Sequence, residues 1–492
     1  MRIILYIAFL LVSFNCFSQK QGNNWCFPRN CRIDWNDSLN PIIGYSNFSY
    51  PAQFSNSTFS SIDGQLKLYG GGTNFINKGG SVFGINDSLI ENGDSLKCYP
   101  FSGNGALLLP VSDSIVYFIG ITRNIISGFG VPYCYYSIIN TKVDSVILKN
   151  EPLDTNAINE KLAVVRHANG RDWWLVMQKT FTNGYLVYLL SHSGFVLQNL
   201  QVIGNNTRFD SSGFLYGQMV FSLDGTKLVA AGVNQEINIF DFDRCTGQLS
   251  NFISAGENIP STDFSYFGLA LSPDNSKIYV ATSSATKKLW QFDLNASNII
   301  TSKTLINEYP DTGAASTYYY GHLAYSPNQR LLITKGRYLT NPNNTTGFNT
   351  GLDEIKFPNN LSSTCQYSSN QIIFPTSFSV GGLPNMPNYQ LGPVVGSLCD
   401  TIFTGVVHQK LEKYITVYPN PSGGVFNFEL KQAGDAIRQI KIYNSQGELL
   451  PEQPLCGGTC STIDMGKQPT GLYYYRCTTA TGKTYTGKLL RE

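Results

Sequence analysis

The chain has 492 residues, with 35 Lys and Arg against 33 Asp and Glu, so its formal net charge is +2. No basic run accompanies that near-balance, which argues against nucleic acid as a partner. Only 14% of residues are charged, while 46 glycines and a 13% aromatic share describe strands and turns, with ample length to bury a core.

Met1-Arg2 opens the chain with one positive charge, and Ile3 to Phe14 is almost uninterrupted apolar sequence. That length suits a signal-peptide core and is too short to span a bilayer as a helix. Small or neutral residues at Cys16 and Ser18 place cleavage before Gln19, giving a leader of residues 1–18. No later run approaches membrane-spanning length, so a soluble, exported mature protein without a transmembrane segment is expected. Eleven cysteines less Cys16 leave ten, an even number suited to an oxidising compartment. Cys26 with Cys31 and Cys456 with Cys460 are close enough for local bridges; the others cannot be paired from sequence. No Cys-x-x-Cys occurs, and the four histidines have no ligand spacing, so neither a metal nor a cofactor is expected.

Hairpins then repeat along the chain. Gly217 to Ala230, Gly268 to Val280 and Gly321 to Ile333 each read as apolar strand, tight turn, apolar strand. Asp224-Gly225 is the strongest turn signal, with Pro273-Asp274-Asn275 and Pro327-Asn328 as its counterparts. Weaker copies turn at Asp63-Gly64, Ser112-Asp113 and Asn169-Gly170. Tips at 63, 112, 169, 224, 274 and 327 are 49, 57, 55, 50 and 53 residues apart. A further strand follows several hairpins, as at Ile237 to Asp241 and Leu289 to Asp293. Multi-strand repeats of roughly 40–50 residues point to a β-propeller. The expected fold is all-β, a seven-bladed β-propeller over residues 19–395. Six blades are contiguous. A composite closing blade pairs Trp25 to Phe27, Arg32 to Trp35 and Pro41 to Gly44 with the C-terminal piece Gly381 to Gly392, which would remove exposed sheet edges. The Ser-Pro-Asp hairpins and the Phe242-Asp-Arg-Cys-Thr-Gly247 turn resemble WD40-like propellers of secreted Bacteroidota proteins.

Within the ring no catalytic constellation stands out, so no catalytic residue is assigned. His322 follows Gly321 at the entrance of an inner strand, near the axis where propellers bind ligands, and is a candidate ligand contact. His167 lies beside Arg166 with Asp172 beyond the turn, a base with a candidate orienting acid but no identifiable nucleophile. Trp173 and Trp174 point to opposite faces of a strand, so one of them can offer a stacking surface to a sugar while the other packs.

Residues 396–413 read as a linker, and 414–492 as a small Ig-like β-sandwich. Phe426, Phe428 and Leu430 alternate onto one face of a strand. Pro419 and Pro421 belong at a sheet edge or before a strand. The run Tyr418, Pro419, Asn420, Pro421, Gly423, with Gly447, Gly471 and Tyr473 in order behind it, resembles the type A C-terminal sorting domain of the Bacteroidota type IX secretion system. The resemblance implies recognition of 414–492 by the outer-membrane translocon, and delivery to the cell surface or beyond. The expected function is a non-enzymatic propeller that binds an extracellular protein or glycan. The alternative is a secreted hydrolase or lyase acting on polysaccharide or peptide, with His322 or His167 at the axis.

Overall fold

The structure is a computed structural model that describes residues 19–27, 30–46, 54–74, 79–100, 102–124, 131–156, 158–206, 217–231, 237–255, 266–282, 288–309, 318–337, 351–374, 382–400, 415–431, 434–444, 448–451 and 458–492. The leader at 1–18, most of the linker, Cys456 and Gly447 lie outside the described residues. The chain divides into two compact units, residues 1–401 and 402–492.

The first unit is a succession of antiparallel sheets, numbered here in chain order. Sheet 1 has three strands, Asn24–Phe27, Cys31–Asp34 and Ile42–Tyr45. Six four-stranded sheets follow: sheet 2 from Asn56 to Lys97, sheet 3 from Ala106 to Asp154, and sheet 4 from Ile158 to Val202. Sheet 5 runs from Met219 to Ser254, sheet 6 from Tyr266 to Glu308, and sheet 7 from Tyr318 to Ile373. In each, strands pair in sequence order, as a meander.

Burial grades across each sheet. The first strands of sheets 2, 3, 4 and 6 are buried throughout, whereas the fourth strand of sheet 4, Gly194–Val202, is largely exposed. The first strands therefore read as unbroken apolar or small-residue runs, because both of their faces meet a neighbouring sheet. Packing passes from sheet to sheet. Phe59, Leu107 and Trp173 join sheets 2 to 4, and Trp174 with Phe240 joins 4 to 5. Val229 with Phe292 joins 5 to 6, and Tyr279 with Leu331 joins 6 to 7. Trp35 with Leu352 joins 7 to 1, and Cys26 with Tyr69 joins 1 to 2. The succession closes on itself, as a propeller requires.

All six expected hairpin tips form turns. Gly225 N donates to Ser222 O at 2.9 Å, Asn275 N to Ser272 O at 2.9 Å, and Gln329 N to Ser326 O at 2.8 Å. Those fourth turn residues have φ of +74°, +59° and +62°, a region only the glycine adopts without cost. Ser222 and Ser272 Oγ donate to Asp224 and Asp274 at 2.6 Å and accept from Lys227 and Lys277 N at 2.9 and 2.8 Å. Lys227 and Lys277 Nζ then reach Asp241 and Asp293, at 2.6 and 3.1 Å. The recurrent aspartates are thus turn and strand-end residues.

Two expectations are corrected. Cys26 and Cys31 do not bridge, because the register pairs Cys26 with Arg32 and Phe27 with Cys31, putting the two side chains on opposite faces. Sheet 1 is built from N-terminal strands alone, and no described residue of the C-terminal piece 382–392 pairs with it. Pro384 and Pro387 leave that piece without two of the N–H donors a ladder needs.

In the second unit, Ile415–Tyr418, Val425–Leu430 and Cys460–Asp464 form one sheet, and Ile437–Tyr443, Gly471–Thr479 and Thr484–Arg491 another. Phe426, Phe428, Ile440, Tyr475, Cys477 and Leu489 fill the core between them. The alternation expected from Phe426, Phe428 and Leu430 is the alternation observed.

Candidate binding site in the central channel

The first strands converge on the axis, where Asn56–Ser60 packs on Ala106–Pro110 and on sheet 1, and Tyr266–Leu271 packs on Tyr318–Tyr325. Their starts approach each other closely at the end of the ring opposite the hairpin tips. Asn104 Nδ2 donates to Met219 O at 3.4 Å. Gln218 ties three sheets together: Oε1 accepts from Leu269 N and Leu323 N at 3.0 and 2.8 Å, and Nε2 donates to Leu323 O at 3.2 Å.

His322 sits in this constriction, 1% exposed. Its ring stacks on Phe267 at 5.5 Å between centroids and lies 5.7 Å from Phe54. Neither ring nitrogen meets a partner at hydrogen-bond geometry. Burial pushes its pKa down to about 4, against a weaker opposing pull from the Leu383 and Gly103 backbones, so it is neutral at pH 7. His167 stands elsewhere, on the hairpin turn of sheet 4, with Nε2 3.1 Å from Cys245 O and Nδ1 accepting from Asn169 N at 3.0 Å. Burial lowers its pKa as well. The two histidines are not brought together, and neither hydrogen-bonds a carboxylate.

The tryptophans are corrected from stacking surface to core. Trp173 is fully buried between sheets 3 and 4, its Nε1 donating to Pro110 O at 2.8 Å and its ring 3.7 Å beneath the Arg166 guanidinium. Trp174, 2% exposed, faces sheet 5 and donates to Arg244 O at 2.7 Å. Adjacent strand residues do point to opposite faces. Both faces of this strand are covered by a sheet, so neither indole offers a free face.

Sequence reasoning missed the principal occupant of the axis. Residues 382–391 lie along it, and are held to sheets on several sides. Asn385 N donates to Asn56 O at 2.8 Å, and Asn385 O accepts from Ser57 Oγ at 2.7 Å. Asn388 Nδ2 donates to Leu223 O at 2.7 Å, and Tyr389 Oη to Leu108 O at 3.2 Å. The Tyr389 ring meets Trp173 edge-on at 5.8 Å. Beyond the axis the chain turns outward. Gly392 O accepts from Arg244 Nη2 at 2.7 Å, Val394 N donates to Ala168 O at 2.8 Å, and Cys399 is disulfide-bonded to Cys245. The signal for this was present in the two prolines of Leu383-Pro-Asn-Met-Pro-Asn-Tyr389, which break any strand pattern.

A cavity of about 300 Å³ remains beside the segment. One wall is residues 383–391; the other is made by the first strands of sheets 4 to 7, at Leu162 to Val165, Met219 to Phe221, Leu269 to Leu271 and Leu323 to Tyr325. Among the described residues, no Asp, Glu, Lys, Arg or His lines it. Two buried ion pairs lie elsewhere. Arg123 bonds Glu160, whose burial raises its pKa against the Arg123 charge. Lys335 pairs with Asp353, which also accepts from Tyr367 Oη at 2.6 Å and Asn370 N at 2.9 Å. Among the described residues, no cluster of three or more His, Cys, Asp or Glu could hold a metal.

In the second unit, the sorting-motif residues gather from distant positions. Asn420 exchanges hydrogen bonds with the last strand, Nδ2 to Lys488 O at 2.7 Å and Oδ1 from Leu490 N at 2.8 Å. Ser422 N donates to Leu490 O, and Glu492 N to Ser422 O, both at 3.0 Å. Tyr473 is buried, its Oη donating to Pro469 O at 2.8 Å, while Tyr418 is exposed. A Cβ at Gly487 would lie 2.5 Å from the Tyr475 ring, so that strand position has no room for a side chain.

Residues 416–492 match the family described as the secretion system C-terminal sorting domain. No curated protein matches the chain. Among solved structures, the chain is similar to a functionally unknown protein from Desulfotomaculum acetoxidans DSM 771, at 12% identity and a TM-score of 0.38, over 74% of this chain and 99% of that one. It is also similar to the periplasmic gluconolactonase of Pseudomonas aeruginosa, at 10% identity and 0.35, over 74% and 89%. The β-propeller domain of Cps50 (Swd1) from Myceliophteria thermophila matches at 11% and 0.38, over 65% and 94%. At these values nothing about function passes from those proteins to this chain.

Proposed function

We propose that the chain is an exported propeller that binds an extracellular protein or glycan and is carried out of the cell by the type IX secretion system. In this reading residues 1–18 are a cleaved leader and 19–395 form seven blades, the first built from N-terminal strands. Residues 396–413 are the linker, and 414–492 are an Ig-like sorting domain addressed to the translocon. The match of 416–492 to the sorting family supports the route. Among the described residues, no helix is long and apolar enough to cross a membrane.

One observation carries the choice of binding over catalysis. No described residue lining the axial cavity is charged, while buried titratable groups of the ring are spent on structure: His322 is neutral between aromatic rings, Glu160 is held by Arg123, and Lys161 donates to Ala231 O. General acid–base chemistry needs a titratable group within hydrogen-bond reach of a bound substrate, and among the described residues the cavity wall offers only the tyrosines Tyr325 and Tyr389, whose pKa values burial pushes further up. Deleting residues 414–492 tests the route. The truncated protein accumulates in the periplasm under this reading, and its normal appearance outside the cell would refute it. Hydrolysis or elimination of a polysaccharide or peptide by the purified full chain would refute the choice of binding.

A further inference from the structure

We infer that the cavity beside the axial segment is a binding site for an uncharged, hydroxyl-bearing ligand of monosaccharide size, an inference that rests on the binding reading above. A volume of about 300 Å³ stands at the lower end of the range of small-molecule pockets. It lies on the axis, bounded by rigid first strands on one side and the tethered segment on the other.

The wall's chemistry narrows the ligand. With no Asp, Glu, Lys, Arg or His among the described lining residues, an ionised ligand entering it would give up hydration and find no counter-charge there. Amide side chains are present instead: Gln329 and Gln390, with Asn385 and Asn388, each of which spends one Nδ2 hydrogen on a backbone carbonyl and keeps the second. An amide both donates and accepts, which matches a hydroxyl and suits neither a cation nor an anion in particular. Three polar atoms on wall residues, Gln19 Oε1, Asn104 Oδ1 and Tyr325 Oη, are buried without a partner in the protein, which leaves the wall with hydrogen-bonding capacity unused. Apolar side chains such as Leu162, Met219 and Leu271 complete the wall and suit the C–H faces of a sugar ring. The lining reaches the hairpin tips at Leu223 and Gln329 and the exposed Gln390, so the mouth is at that end of the ring.

The full mature chain is titrated by calorimetry with D-glucose, D-galactose and N-acetyl-D-glucosamine, and with D-glucuronic acid and D-glucosamine as charged counterparts. At least one neutral sugar is expected to bind, and at least about tenfold more tightly than the charged ones. Gln390→Trp, an exposed substitution that covers the mouth, and Ala324→Met, which fills the wall, are each expected to weaken that binding about tenfold or more. Because Ala324→Met can disturb packing, both variants are melted alongside wild type, and Gln390→Trp alone suffices if Ala324→Met unfolds. Absence of binding by every neutral sugar at about 10 mM overturns the inference, as does equal binding of charged sugars. Neutral-sugar binding that survives Gln390→Trp also overturns it, while leaving the binding reading standing with its site elsewhere. The binding reading itself fails if polysaccharides and surface proteins also leave the wild-type chain unbound.

Discussion

Replacing Cys399 with serine should loosen the whole ring, although Cys399 lies outside every sheet. The Cys245–Cys399 bridge spans 154 residues and ties sheet 5 to the chain that has just left the axis. Constraining a loop of that length in the unfolded chain is worth about 5 kcal/mol by chain entropy. Part of the tether survives in the variant, through Arg244 Nη2 to Gly392 O and Val394 N to Ala168 O, each bond worth about 1 kcal/mol. The expected net loss is about 2–5 kcal/mol, or roughly 2–6 °C in melting temperature for a unit of this size. Thermal melts of the mature chain without reductant read it directly. Wild type in reductant should fall to the variant's value, and the Cys245→Ser/Cys399→Ser double variant should lie no lower than either single one. Limited proteolysis should cut between Val394 and Thr401 only when the bridge is absent. A midpoint within roughly 1 °C of wild type would show that ring contacts alone hold the segment, and the clasp reasoning would be wrong.

Three further outcomes are expected. His322 titrates near 4 in the fold against 6.5 when free, so the unfolded chain takes up the proton first. Its contribution is fully present above pH 6.5 and is lost as pH falls toward 4. Between pH 6.5 and 5, denaturant midpoints should show wild type losing about 2 kcal/mol more than His322→Phe; parallel pH profiles would refute this. Lys335→Met strands the buried Asp353 and should cost about 3–5 kcal/mol, part of it recovered in Lys335→Met/Asp353→Leu, which leaves Tyr367 Oη and Asn370 N without that acceptor. The assay is urea denaturation, and an additive double variant would refute the coupling. Gly487→Ala drives a methyl into the Tyr475 ring, and should destabilise the second unit by about 1–3 kcal/mol, seen as a lowered melting step for that unit.

Much of the fold was legible in sequence because its signals are local. Asp224-Gly225, Asp274-Asn275 and Asn169-Gly170 dictate tight turns whatever surrounds them, and the alternation of Phe426, Phe428 and Leu430 marks the buried face of a strand without reference to the rest of the chain. The site was far less legible. His322 was placed near the axis from its position in the repeat, and it is there, but the repeat says nothing of Phe54 and Phe267, which close over it from other sheets. Trp173 and Trp174 were assigned to opposite faces correctly. Only the presence of a sheet on each side shows that neither face is open.

By itself, then, the sequence determined an all-β chain, the positions of its hairpins, the roles of the recurrent aspartates and the identity of the terminal sorting domain. Each of these follows from interactions within one turn, one strand or one contiguous module. Tertiary structure decided what fills the axis, which cysteines pair and where an uncharged cavity remains. Those depend on groups more than a hundred residues apart meeting in space, as Asn385 meets Asn56 and Cys399 meets Cys245, and no local preference encodes such a meeting.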